Sequence, residues 1–199
     1  MTIPVTIGPN HEMESFSPIG IFRNELDSLC WALDGGEVYR QLLVGGPFVA
    51  TGGYYSFSSL AIDTAGDVWG ATGSELYKWN VSTEEFDLVQ SDIYINELAS
   101  ANDGAIWGWN SNELYRKPLA SNTAVLLYTI TASINKVHPS ATGTMLTIGQ
   151  DEYTYAYGIY RYFPDGSTPT LIRQISNIDA VAFESLDGTI YIVDEEPPL

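Results

Sequence analysis

Apolar residues in this chain come in short runs, interrupted every few positions by glycine or small polar residues. One stretch reads Leu60-Ala61-Ile62, the turn-like Asp63-Thr64-Ala65-Gly66, then Val68-Trp69-Gly70-Ala71 and Glu75-Leu76-Tyr77-Lys78-Trp79. A polar Asn80 to Thr83 leads on to Phe86-Asp87-Leu88-Val89. The same order returns as Ala105-Ile106-Trp107-Gly108, Glu113-Leu114-Tyr115 and Val125-Leu126-Leu127-Tyr128. Runs of this length, rich in β-branched and aromatic residues and bounded by turn formers, predict short strands. Glycine in the turns supplies the positive φ that tight reversals need. No segment keeps its apolar residues at a sustained helical spacing. At the start, Ile3, Val5 and Ile7 alternate with Thr2, Pro4 and Thr6, which predicts one more strand. Pro4 has no N–H to give, so that strand belongs at an edge or holds the residue away from the ladder.

The runs repeat. Trp31, Trp69 and Trp107 are each 38 residues apart, and Tyr39, Tyr77 and Tyr115 follow at a fixed eight. A base comes next in every copy (Arg40, Lys78, Arg116), and an acid stands two residues before each Tyr (Glu37, Glu75, Glu113). Upstream lie two apolar columns: Ile19, Phe57, Ile95, Ile134 and Ile178, then Phe22, Leu60, Leu98, Val137 and Val181. These extend the count to five copies. Copy four has Leu146 in the Trp column and copy five has Tyr191. The turn glycines are Gly66, Gly104, Gly143 and Gly188, with Ser28 in their place in copy one.

Five copies of a four-strand unit of about forty residues predict an all-β, five-bladed β-propeller. The whole of 1–199 reads as one domain with repeats near 19–56, 57–94, 95–133, 134–177 and 178–199. The fifth copy runs out before its third and fourth strands. We therefore expect the N-terminal segment, residues 1–18, to complete the last blade beside Thr189–Asp194, which would leave no half-blade with unpaired backbone.

The piece Asp63-Thr64-Ala65-Gly66-Asp67-Val68-Trp69 resembles the D-x-x-G-x-(L/V)-W repeat of regulator-type propellers, which carry a later aromatic-basic pair as well. The turns are also similar to Asp boxes. An Asp-box sialidase would imply an arginine cluster that clamps a carboxylate. Only five arginines are present, and Arg40, Arg116 and Arg161 already occupy the repeat column. The resemblance thus implies a propeller and names no activity.

Charge narrows the partners. With 25 acidic against 8 basic side chains the chain carries −17, which argues against nucleic acid and against docking on anionic membranes. Such a charge favours solubility, and a basic partner is its other reading. Cys30 is the only cysteine, lies in an apolar run and reads as a buried, inert thiol. No basic leader or long apolar segment is seen at the start, so a soluble chain made in the cytoplasm is expected.

Positions common to every copy should pack between blades, so the Trp column reads as core. Function is expected where a copy breaks its own pattern. In copy four the step from Gly143 to Arg161 is 18 residues, against 12 from Gly104 to Arg116, an insertion of six. It brings Tyr153, Tyr155 and Tyr157, which share one face if extended; they read either as a contact surface or as cross-strand packing. Trp109, where other copies have Leu33 and Ala71, and Tyr54-Tyr55 after Gly52-Gly53 read as rim contacts or local packing. Arg23 and His138 break a run of Ala61, Ala99 and Ala182 expected to line a channel.

With His11 and His138 the only histidines, catalytic and metal constellations have little material, and no cofactor is implied. The expectation is therefore a chain that is not an enzyme: an assembly or recognition module contacting other proteins, as in a virus or phage virion (capsid or tail), and able to form a homo-oligomer. The alternatives are a lectin-like module that binds surface glycans for host attachment, or a channel-mouth lyase or glycosidase.

Overall fold

A chain that reverses every few residues must find a residue for the left-handed corner of each turn, and here the repeat supplies one. The computed structural model describes residues 20–130, 134–140, 142–150, 156–176, 180–185 and 187–193. Within them Gly66, Gly104, Gly143 and Gly188 all have φ between 81° and 85°. Ser28, the odd member of that column, adopts the same conformation at φ 59°. Each turn closes with a backbone bond across its neck, as from Asp63 N to Asp67 O, Ala101 N to Ala105 O and Ser185 N to Thr189 O. Copy one spans one residue more, from Asn24 N to Leu29 O.

Among the described residues these turns join eighteen strands in five sheets, and every element is β. Sheet 1 holds β1 (Gly20–Arg23), β2 (Cys30–Asp34), β3 (Glu37–Gln41) and β4 (Phe48–Tyr54). Sheet 2 holds β5 (Ser59–Ile62), β6 (Val68–Ala71), β7 (Glu75–Asn80) and β8 (Glu85–Ser91). Sheet 3 holds β9 (Glu97–Ser100), β10 (Ile106–Trp109), β11 (Glu113–Lys117) and β12 (Val125–Thr129). Sheet 4 holds β13 (Ile134–Pro139), β14 (Met145–Gln150), β15 (Tyr157–Tyr162) and β16 (Thr170–Ile175). Sheet 5 holds β17 (Val181–Glu184) and β18 (Ile190–Val193). Strands follow one another in each sheet in chain order, as antiparallel meanders. The N-terminal segment expected to complete the last blade lies outside the described residues, as do Ile19 and Ile178 of the apolar column.

The fixed spacings of the sequence become fixed pairings. Trp31 stands opposite Arg40, Trp69 opposite Lys78 and Trp107 opposite Arg116 on neighbouring strands. Lys78 lies over the Trp69 ring at 5.4 Å and Arg116 over Trp107 at 5.6 Å. The acid-x-Tyr column is a bond within one strand: Tyr39, Tyr77 and Tyr115 each donate their hydroxyl to the Glu two residues back, at 2.6, 2.8 and 2.9 Å. In copy four Leu146 pairs with Arg161, the same register with an aliphatic in place of Trp. The insertion carries that hairpin two pairs further, through Gly149–Gly158 and Gln150–Tyr157, than the Trp109–Leu114 pair where sheet 3 turns.

The chain forms two compact units, Met1–Leu98 and Ala99–Leu199. In the first, Trp31, Leu33 and Val38 of sheet 1 bury against Leu60, Ile62, Val68, Trp79 and Phe86 of the sheet 2 region. Trp31 meets Trp79 edge-on with ring centres 5.1 Å apart. In the second, Trp107, Leu114 and Tyr128 pack with Met145 and Tyr162, and a further cluster joins Leu146, Ile148 and Ile159 to Ala180 and Ala182. The three tryptophans of the repeat are core residues, as their recurrence implies: Trp69 and Trp107 have no exposed surface and Trp31 has 5%.

Candidate recognition surface

The turns between the first and second strands, and between the third and fourth, emerge at the same end of a meander. In the first unit this end is tied together by polar contacts. Asn24 Nδ2 in the β1–β2 turn donates to Gly66 O in the β5–β6 turn at 3.1 Å. Cys30 N donates to Gln41 Oε1, and Gln41 Nε2 to Gly46 O, which ties the start of β2, through the last residue of β3, to the β3–β4 turn. Arg40 pairs with Glu84 of the β7–β8 turn at 2.6 Å while its guanidinium lies over Trp79. Four turns thus form one end of this unit.

Their apolar residues are not buried there. Leu42, Leu43 and Val44, consecutive in the β3–β4 turn, are 60%, 61% and 63% exposed. Leu26 in the β1–β2 turn and Val81 in the β7–β8 turn are more exposed still. A single exposed leucine is ordinary, but three aliphatics in succession on a turn, with two more at the same end, is a concentration of apolar surface that soluble chains rarely leave unused. The sequence reading passed over Leu42-Leu43-Val44. Its signal was legible: an uninterrupted aliphatic triplet followed by Gly45-Gly46-Pro47, where a turn is due.

The residues that sequence singled out are placed as follows. Tyr153 and Tyr155 lie outside the described residues. Tyr157 begins β15 and packs against the cluster around Leu146, Ile148 and Ile159. Trp109 packs against the Trp107 cluster. Tyr54 ends β4, its backbone paired with Glu37. Tyr55 stacks on Phe57 with ring centres 5.0 Å apart and accepts a bond from Phe86 N at 3.1 Å, within the first unit's core. Arg23 bonds Ser28 at 3.3 Å and lies 4.0 Å from Glu25. His138 belongs to β13 in the other unit, opposite Leu146.

A second polar constellation went unforeseen. The Glu184 side chain, 2% exposed, pairs with Arg161 at 2.6 Å and accepts bonds from the Ser140, Thr142 and Thr144 hydroxyls. Hydroxyls at 140, 142 and 144 alternate along the β13–β14 turn, so they converge on one carboxylate. Both of its oxygens are engaged, which makes the group a buried tie between sheets 4 and 5. The tyrosines near the cores are likewise set for packing rather than acid–base work. Burial raises the Tyr162 phenol to about 12. Burial, and the Glu37 carboxylate after it, hold Tyr39 far above the ordinary phenol range.

No protein-family model matches the chain, and no curated protein sequence does. Solved structures do. The extracellular domain of BT4673 from B. thetaiotaomicron is similar with a TM-score of 0.64 at 14% identity, over 94% of this chain and 27% of that one. The tricorn protease is similar at 0.67 and 12%, over 94% of this chain and 21% of that one. The gluconolactonase XC5397 from Xanthomonas campestris is similar at 0.60 and 14%, over 88% and 69%. This chain therefore spans about a quarter or less of the first two. At these identities the likeness shows the fold, which is a β-propeller. It also corrects the expectation that the chain is not an enzyme. That expectation rested on the scarcity of histidine and of catalytic motifs, and the same fold serves a gluconolactonase and a protease, so catalysis is not set aside.

Proposed function

We propose that this propeller is a recognition module that holds a protein partner at the apolar end of its first unit. The observation that carries this reading is the exposed Leu42-Leu43-Val44 turn, flanked by Leu26 and Val81. Burying such side chains is worth roughly 1.5–3 kcal/mol each. A partner that covers the turn therefore has several kcal/mol to gain before its ordering costs are counted. Aliphatic tips bury best against apolar protein surface. A glycan, whose outside is mostly hydroxyl, offers little of it, and aromatic platforms suit glycans better. A place in a larger assembly, a virion included, is one setting for such a contact.

The test is a photo-crosslinking residue at Leu43, in the chain expressed in its own source cell, with Thr168 as a control on another exposed turn. One discrete protein adduct from position 43, absent from position 168, is the expected result. No protein adduct at 43, or identical adducts at both positions, rejects the reading.

A further inference from the structure

The acids around the apolar turn define the partner further, an inference that rests on the recognition reading above. The bases near this end are already engaged. Arg40 pairs with Glu84, Lys78 with Asp67 at 2.6 Å, and Arg23 is near Glu25. Arg40 and Lys78 are also drawn back over tryptophan rings. Asp27 in the β1–β2 turn and Glu85 beside the β7–β8 turn are exposed, and among the described residues no cation pairs with either. The apolar tip therefore stands in a negative field, within a chain of net −17.

We infer that the occupant is a protein surface with an aliphatic pocket rimmed by lysine or arginine. Complementary charge steers such a partner in and fixes its register, while apolar contact supplies most of the affinity. A second copy of this chain would set acid against acid. An anionic membrane would be repelled by the same carboxylates.

The probe is a designed 15-residue helical peptide with a stripe of leucines along one face and lysines at both borders of that stripe. It is compared with the same peptide carrying glutamate for lysine, and with phosphatidylcholine vesicles. Each is titrated into the full chain, with amide shifts reading the location and calorimetry the affinity. The leucine–lysine peptide is expected to shift the amides of residues 42–46. It should bind about tenfold more weakly to the Leu42→Ser, Leu43→Ser, Val44→Ser variant. With Asp27→Asn and Glu85→Gln together, affinity should fall about threefold and depend less on salt.

Unchanged binding to the triple-serine variant would mean diffuse attraction to an acidic chain and would overturn the inference. So would equal binding of the glutamate peptide, or stronger binding to vesicles than to peptide. Should Leu43 crosslink a protein while the peptides show no preference for lysine, only the basic rim is lost and the recognition reading stands. Should Leu43 crosslink nothing, both fall.

Discussion

Ser28 shows how far one residue can depart from a repeat while the backbone holds its course. Its column is glycine in the other four copies, because the corner needs positive φ and a Cβ there crowds the following carbonyl. The turn in copy one is a residue longer and still places Ser28 at φ 59°. The surroundings thus impose a conformation that serine adopts only at a cost. Ser28→Gly should raise stability by about 1 kcal/mol, net of the extra freedom glycine has in the unfolded chain. Urea unfolding would show it as a higher midpoint at unchanged slope. The bond lost from Arg23 to Ser28 is long and exposed, and should count for little. Side-chain roles at this scale were only partly legible. The acid-x-Tyr bonds follow from spacing, since i and i+2 share one face of a strand. Tyr55 and Tyr157 could not be read that way, because a strand shows which residues share a face and not which face is covered.

At the scale of strands and turns, sequence and structure agree closely. The run Val68–Ala71 is β6 without a residue's difference, and the turns fall where glycine stands. The insertion in copy four lengthens the hairpin of β14 and β15, as a repeat must when residues are added between two paired strands. What holds one element to the next was not legible. Glu184 of β17 reaches the β13–β14 turn through three hydroxyls and β15 through Arg161. Glu184→Ala would leave a guanidinium half-buried without its anion and the three hydroxyls without their shared acceptor. A loss of about 3 kcal/mol is expected, read by thermal or denaturant unfolding. Glu184→Gln, which keeps an acceptor, should lose less.

For the whole molecule charge is the governing quantity. A chain with 25 acids and 8 bases repels itself once folded, because folding brings carboxylates together that the unfolded chain keeps apart. Raising sodium chloride from about 0.02 to 0.5 M shortens the screening length from roughly 20 Å to 4 Å. The unfolding temperature should therefore rise with salt. A fall would mean that the surface ion pairs, such as Arg40–Glu84 and Lys78–Asp67, outweigh the general repulsion.

Sequence alone determined the all-β class, the fivefold repeat, the strand-and-turn order and the burial of Trp31, Trp69 and Trp107, though not that of Tyr191, which is half exposed in the same column. These rest on local φ/ψ preference and on period, both written within about forty consecutive residues. Tertiary structure decided which breaks in the pattern face inward, joined Glu184 to Ser140 across 44 positions, and left Leu42, Leu43 and Val44 uncovered. Burial is a relation between residues far apart in the chain. An aliphatic triplet reads the same whether a neighbouring sheet covers it or solvent does, and only packing in three dimensions separates the two.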